Sequence, residues 1–219
     1  MKHLTLLFDL DGTLTNSGPG IKRCAKLVLS HYGIDRKEDD LDVFVGPPLF
    51  DSFHDFGIEK NELDNAVSLF RKEYQEKGIY ENKLYPDIEN ILKTLKKEEY
   101  SLYIVTSKAD KMAKDVLNNF NIYQYFDGIY APSIKKSIDE TKSQLITRCI
   151  NENKKENTKF VMIGDTKFDI GGAKDNNILS IACMWGYGTR DSILESKPDY
   201  MVDNPLELLY LIQSLESDC

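Results

Sequence analysis

The sequence predicts an α/β fold: a doubly wound parallel sheet with an α-helical domain inserted after its first strand. Three observations predict it. The apolar run Leu4-Thr5-Leu6-Leu7-Phe8 ends abruptly in Asp9-Leu10-Asp11-Gly12-Thr13. The next stretch, to about Gly78, repeats apolar residues at helical spacing. From Pro86 onward, short apolar runs alternate with amphipathic helices, which is the pattern of βαβ units.

The first run has no polar alternation and reads as a buried strand. Ser17 is placed to cap a helix whose apolar positions are Ile21, Cys24, Ala25, Val28, Leu29 and Tyr32, with Gly33 as its stop. A second helical stretch carries Leu41, Phe44 and Val45 and breaks at Gly46-Pro47-Pro48. A third carries Leu49, Phe50, Phe53 and Phe56. A fourth has Leu63, Ala66, Val67, Phe70 and Tyr74 on one face and stops near Gly78. Four apolar stripes predict a small bundle. The second half reads as helix 87–97, strand 102–105, helix 109–120, strand 128–131, helix 140–153, strand 160–163, helix 167–176, strand 178–182, a short strand 200–202 and a helix from Pro205. The expected division is a Rossmann-like core of residues 1–15 and 83–219 and a helical cap of residues 16–82.

Composition narrows the function. Lys and Arg number 28 against 36 Asp and Glu, a net charge of -8. Such a chain is poorly suited to non-specific binding of nucleic acid or membrane, so neither is expected as a partner. An anionic substrate would need a metal or local positive charge. The cysteines Cys24, Cys149, Cys183 and Cys219 have neither zinc-knuckle nor redox-pair spacing and read as free thiols of a cytoplasmic protein. The first apolar run is too short for a signal peptide or a membrane span. His3, His31 and His54 lack metal-ligand spacing and read as structural or surface residues.

In a parallel sheet, ligands bind beyond the carboxyl ends of the strands. Asp9 and Asp11 follow the first strand, Thr106-Ser107-Lys108 another, and Gly164-Asp165 a third, with Asp169 one helical turn on and Lys142 opening a helix. Several carboxylates in one cleft demand a counter-ion, and Mg²⁺ binds such oxygens together with substrate phosphate. Asp9 and Asp165 are the ligand candidates. Asp9 is also the candidate nucleophile and Asp11 the acid/base. Lys142, Thr106 and Ser107 are the candidates for holding phosphoryl oxygens. Simpler readings stand beside these: Asp9-Leu10-Asp11-Gly12-Thr13 as an ordinary turn, Thr106-Ser107 as a helix cap, Asp165 and Asp169 as a solvated helix face or as partners of a helix N-terminal dipole, Lys142 as a solvated lysine, and Gly171-Gly172 as a point of close helix–sheet packing.

DLDGT at 9–13, VTSK at 105–108, Lys142 and GDTKFD at 164–169 resemble, in order and spacing, the four motifs of the haloacid dehalogenase superfamily. The helical insert and Trp185-Gly186-Tyr187-Gly188 resemble its phosphoglycolate phosphatase-like branch. The resemblance implies that Asp9 is the nucleophile and Asp11 the general acid/base. It implies that Thr106 and Lys142 hold the phosphoryl group, and that Mg²⁺ binds Asp9, Asp165 and the Asp11 backbone carbonyl. Asp169 would support the metal site or orient Lys142. Ser143 stands where relatives often have proline, and Lys135 and Lys136 lie nearby. Asn16 stands where an acidic residue is frequent, and Asp87 where glycine is frequent.

Within this superfamily, relatives that cleave halides or phosphonates lack an acid two places after the nucleophile. Asp11 therefore implies a phosphate ester. The expectation is a Mg²⁺-dependent phosphatase acting on a small phosphorylated metabolite, as a monomer or weak homodimer. Gly46, in the loop Gly46-Pro47-Pro48, is expected to contact the rest of the substrate. The alternatives are a nucleoside 5′-monophosphate phosphatase, a sugar-phosphate mutase, or a non-catalytic sensor of a phosphometabolite.

Overall fold

The structure, a computed structural model, describes residues 4–132 and 140–217. His3, Lys135, Lys136 and Cys219 lie outside the described residues. The chain opens with β1 (Leu4–Phe8), buried at all five positions. A run with no polar face fits only a strand covered on both sides. The short β2 (Thr15–Asn16) follows the acidic turn. The chain separates into two compact units, Met1–Thr15 with Leu84–Cys219, and Asn16–Lys83.

The second unit is helical. Helix α1 (Gly18–His31) buries Ile21, Cys24, Ala25, Val28 and Leu29, the stripe that the spacing predicts. Ser17 stands at its N-cap in a helical conformation (φ −88°, ψ −5°), and its side chain makes no cap bond. The expected second helix is instead a 3₁₀ segment, Glu38–Phe44. Its run is stopped at Gly46-Pro47-Pro48 before α-helical turns could propagate. Helices α2 (Leu49–Asp55) and α3 (Leu63–Glu76) follow. Phe44, Phe53, Phe56 and Phe70 form an aromatic core, with ring centroids 4.9 Å apart for Phe44–Phe53, 5.1 Å for Phe44–Phe56 and 6.1 Å for Phe53–Phe70. Arg23 Nε donates to both carboxylate oxygens of Glu81, at 2.7 and 2.8 Å, and its Nη1 donates to Glu73 at 2.8 Å. This ties α1 to α3 and to the segment after it.

The chain then runs through β3 (Lys83–Leu84), which pairs with β2, and α4 (Ile88–Lys97). Asp87, before α4, adopts the left-handed conformation (φ 63°), which glycine takes without a Cβ penalty. There follow β4 (Ser101–Val105), α5 (Asp110–Asn119), β5 (Gly128–Tyr130), α6 (Lys142–Asn153), β6 (Lys159–Gly164), α7 (Lys167–Asp175), β7 (Leu179–Cys183), α8 (Arg190–Ser196), β8 (Tyr200–Val202) and α9 (Pro205–Ser217). Helix α8 has no apolar stripe to announce it, since Ile193 is its one buried residue. The strand order is β5-β4-β1-β6-β7-β8, and every pairing within it is parallel. Phe8 lies opposite Ile104 of β4 on one side and Ile163 of β6 on the other.

The chain turns from β1 towards β4 and β5, then crosses back to β6. The order therefore reverses at β1, and a crevice opens beyond the carboxyl ends of β4, β1 and β6. Gly172 allows α7 to approach α6, since a Cβ there would lie 2.9 Å from Ile146 Cδ1. The close approach is thus helix on helix rather than helix on sheet, and Gly171 faces open space. Cys24, Cys149 and Cys183 are buried free thiols. His31 and His54 are exposed. Among the described residues, no helix is long and apolar enough to cross a membrane.

Candidate active site

Asp9 leaves β1 with its backbone N–H donating to Ile163 O at 2.9 Å, so the end of β1 is fixed against β6. The chain then turns tightly, with Leu10 O accepting from both Leu14 N and Thr15 N at 3.0 Å. Lys142 reaches Asp9 from α6. That helix starts sharply because Thr141 and Gln144 form a reciprocal capping box: Gln144 N donates to Thr141 Oγ1, and Thr141 N donates to Gln144 Oε1. Lys142 Nζ donates to Asp9 Oδ1 at 2.6 Å and to Val105 O at 3.0 Å, and it pairs with Asp169 Oδ1 at 2.9 Å. It is 7% exposed, so the solvated-lysine reading does not hold.

Asp165 and Asp169 are both fully buried, which rules out a solvated helix face. Asp165 Oδ1 accepts from Thr13 Oγ1 and Oδ2 from Tyr187 N, each at 2.8 Å. Two glycines make room for this carboxylate. A Cβ on Gly12 would lie 2.1 Å from Asp165 Oδ2, and one on Gly186 would lie 2.3 Å from it. Gly12 also has φ +89°. Asp169 Oδ2 accepts from Thr166 N at 3.0 Å and from Thr166 Oγ1 at 2.7 Å, which closes the first turn of α7. One carboxylate thus caps a helix with one oxygen and holds Lys142 with the other.

Gly12→Ala is expected to displace Asp165 and to cost about 1–3 kcal/mol in denaturant unfolding. Gly33→Ala is the control, because Gly33 has φ +74° with nothing within 4 Å. It carries the backbone strain alone. Equal losses in stability and activity for the two variants would show that Gly12 is not shaped around Asp165.

The second segment divides its residues. Thr106 is buried, and its Oγ1 accepts from Lys108 N at 3.2 Å. Thr106 and Ser107 do not cap α5, whose N-cap is Ala109. Ser107 is exposed. Asp11 Oδ2 accepts from Lys108 Nζ at 2.7 Å, while Asp11 Oδ1 is buried with no hydrogen-bond partner among the described residues. Gly46 belongs to the helical unit and has φ +106°.

Burial raises Asp9 to about 7; Lys142 opposes the shift, and Asp169 and Asp11 add to it. Burial, reinforced by Asp9 and Asp169, also holds Asp165 well above the ordinary carboxylate range. Burial opposes the charge of Lys142, yet Asp169 and Asp9 outweigh it and leave its pKa above the usual lysine value. Asp9, Asp165 and Asp169 offer oxygens within 4.8 Å of one another. Three buried carboxylates facing one lysine are short of positive charge. The donors are all hard oxygens, so the residues fit a Mg²⁺-like ion.

Lys108, Thr13, Gly12, Gly186 and Tyr187 were not singled out from the sequence as site residues. Thr13 and Gly12 lie inside the first motif, and Tyr187 and Gly186 in the aromatic-glycine stretch, but residue type alone did not reveal their partners. Tyr85 joins them. Burial, with the Tyr187 phenol and Asp165 next in order, raises its pKa and keeps it neutral. Its ring meets Trp185 at 6.3 Å, and Trp185 Nε1 donates to Thr13 O at 3.1 Å.

Known proteins share this architecture. Residues 6–183 match the haloacid dehalogenase-like hydrolases. A 5′-nucleotidase from Pseudomonas aeruginosa is 30% identical over 219 residues, covering 99% of this chain and 97% of its own. A phosphoglycolate phosphatase from Vibrio vulnificus is 29% identical, covering 94% of this chain and 95% of its own. The crystal structure of a predicted phosphatase from Clostridium acetobutylicum superposes with a TM-score of 0.89 at 33% identity, covering 98% of this chain and 99% of that one. The four sequence motifs meet at one crevice of a fold these proteins share, and the chain belongs to the haloacid dehalogenase-like hydrolases.

Proposed function

We propose that this protein is a Mg²⁺-dependent phosphatase that hydrolyses a small phosphomonoester through a phosphorylated Asp9. The observation that carries this reading is the buried Asp9–Lys142 contact of 2.6 Å at the edge of an acidic cluster. Lys142 holds Asp9 Oδ1, which leaves Oδ2 to attack phosphorus. Asp11 donates a proton to the leaving alkoxide, and the alcohol departs. Asp11 then takes a proton from water as the water oxygen attacks the phosphorus of the aspartyl phosphate. Inorganic phosphate leaves and the Asp9 carboxylate is restored. The Thr106 hydroxyl accepts from Lys108 N and keeps its own proton to donate to a phosphoryl oxygen. Asp9 and Asp165 are the side chains that would hold Mg²⁺, with Asp169 steadying Lys142. The ion would supply positive charge against the phosphoryl oxygens.

The test is a panel of phosphate esters assayed with Mg²⁺ and with chelator. Release of phosphate from at least one ester, lost on chelation, is the expected result. Undiminished release in chelator would overturn the metal dependence, and no release from any ester would overturn the activity. A nucleoside 5′-monophosphate is the second reading of the substrate, favoured by the full-length 5′-nucleotidase relative. Phosphoglycolate is the first, favoured by the phosphoglycolate phosphatase relative. The buried free thiols are compatible with a cytoplasmic protein.

Metal binding also predicts a pH signature in stability. The folded pKa of Asp9, about 7, stands above its ordinary 3.8. The native state therefore keeps a proton that the unfolded chain has lost. That contribution is complete below about pH 4 and disappears as the pH rises through about 7. Asp165 shifts in the same direction. Metal-free protein should therefore lose stability as the pH rises from about 4 to about 7. Mg²⁺ at about 100 times its Kd should raise the melting temperature by about 5–10 °C at the alkaline end, and by less at the acid end. An equal gain at both ends would contradict the assignment of Asp9 and Asp165 as ligands.

A further inference from the structure

Resting on the reading of Asp11 as the acid, we propose that Lys108 is a positioning residue that holds Asp11 by one oxygen and presents the other to the leaving group. Lys108 and Asp11 belong to segments that leave neighbouring parallel strands at the same edge of the sheet. Their side chains are 7% and 12% exposed and meet at 2.7 Å. A nearly buried ion pair is held far more firmly than a surface one. The Lys108 backbone is fixed as well, since its N–H donates to Thr106 Oγ1 at 3.2 Å. The lysine therefore leaves the second segment in a set direction. The division of labour lies in the two Asp11 oxygens. Oδ2 is taken by Lys108, while Oδ1 is buried with no partner among the described residues. A buried carboxyl oxygen without a partner is costly, and once Oδ1 carries the proton it has a partner in the leaving-group oxygen of a bound ester, to which its O–H donates. The ammonium thus sorts the oxygens, so that the proton-carrying one faces the ester and does not rotate away.

The consequence depends on the leaving group. An alkoxide needs a proton to depart, whereas p-nitrophenolate does not. The quantity to measure is kcat/KM, which covers only the steps through formation of the phosphoenzyme. With Mg²⁺ present, Lys108→Met should lower kcat/KM about 10–100-fold for an alkyl phosphate and less than about 3-fold for p-nitrophenyl phosphate. Asp11→Asn should show the same split with a larger alkyl loss. Adding Lys108→Met to Asp11→Asn should cost less than about a further 3-fold, because the lysine acts through Asp11. Lys108→Arg should restore most of the alkyl rate. Lys108→Gln repeats the test independently of the folding of Lys108→Met. Equal losses on both esters would overturn the proposal, because they would make Lys108 a phosphate ligand or a purely structural residue. Full alkyl activity in both Lys108→Met and Lys108→Gln would also overturn it. If Asp11→Asn shows the split and the Lys108 variants do not, only the lysine's role fails. If Asp11→Asn shows no split, the acid assignment fails and the role of Lys108 falls with it.

Discussion

Asp9→Asn abolishes turnover, with kcat falling by about 10⁴-fold or more, because an amide fills the carboxylate's volume but cannot attack phosphorus. The variant should still fold. Burial already pushes the Asp9 carboxyl up to about 7, so a neutral group suits the position better than a charge does when no metal is bound. Metal-free Asp9→Asn is therefore expected to melt at or above the parent's temperature near about pH 8. Mg²⁺ should stabilise it less than the parent. Appreciable Mg²⁺-dependent phosphate release by a clean preparation would remove Asp9 from the nucleophile's role.

Asp165→Ala should cut activity mainly through weakened Mg²⁺ binding. The change removes a carboxylate from the acidic cluster and strips the Thr13 hydroxyl and Tyr187 N–H of their partner. Altered metal surroundings alone cost about 10–100-fold in affinity, so removing a ligand should cost at least about 10²-fold in activity at limiting Mg²⁺. Raising Mg²⁺ should recover part of it. The discriminating quantity is the Mg²⁺ concentration at half-saturation, which should rise sharply. An unchanged half-saturation with a lower maximal rate would mean that Asp165 shapes the pocket without holding the ion.

The sheet was legible because its strands are either buried on both faces or bounded by turns. Leu4–Phe8 could only be an interior strand, and an interior first strand places Asp9 and Asp11 at the reversal point of the order. That placement brings Lys142 and Asp165 to Asp9 from far along the chain. The inward path of Lys142 was harder to see. A lysine in a first helical turn is ordinary, and only the Thr141–Gln144 capping box, readable as T-x-x-Q, marks where the helix starts. The Lys108–Asp11 pair was not legible, because both residues sit in loops, where no periodicity reports which side chains meet. The fit of Gly12 and Gly186 around Asp165 was hidden for a related reason: a glycine declares freedom of the backbone, not the identity of the atom that fills the space. The 3₁₀ segment Glu38–Phe44 was read as a helix because apolar spacing over so short a run does not separate the two forms.

Passage of the phosphoryl group through Asp9 can be trapped directly. The protein should be mixed with a substrate ester and Mg²⁺, quenched in acid within a single turnover, and digested for mass spectrometry. A duplicate should be reduced with borohydride, which converts an aspartyl phosphate to homoserine. Asp11→Asn should be run in parallel, since loss of the base for the second step should let the intermediate accumulate once a good leaving group has loaded it. The expected result is one phosphoryl group on the peptide containing Asp9 and homoserine at position 9 after reduction. Phosphate on any other side chain, or full turnover with no modified Asp9 peptide at any time in either protein, would contradict it.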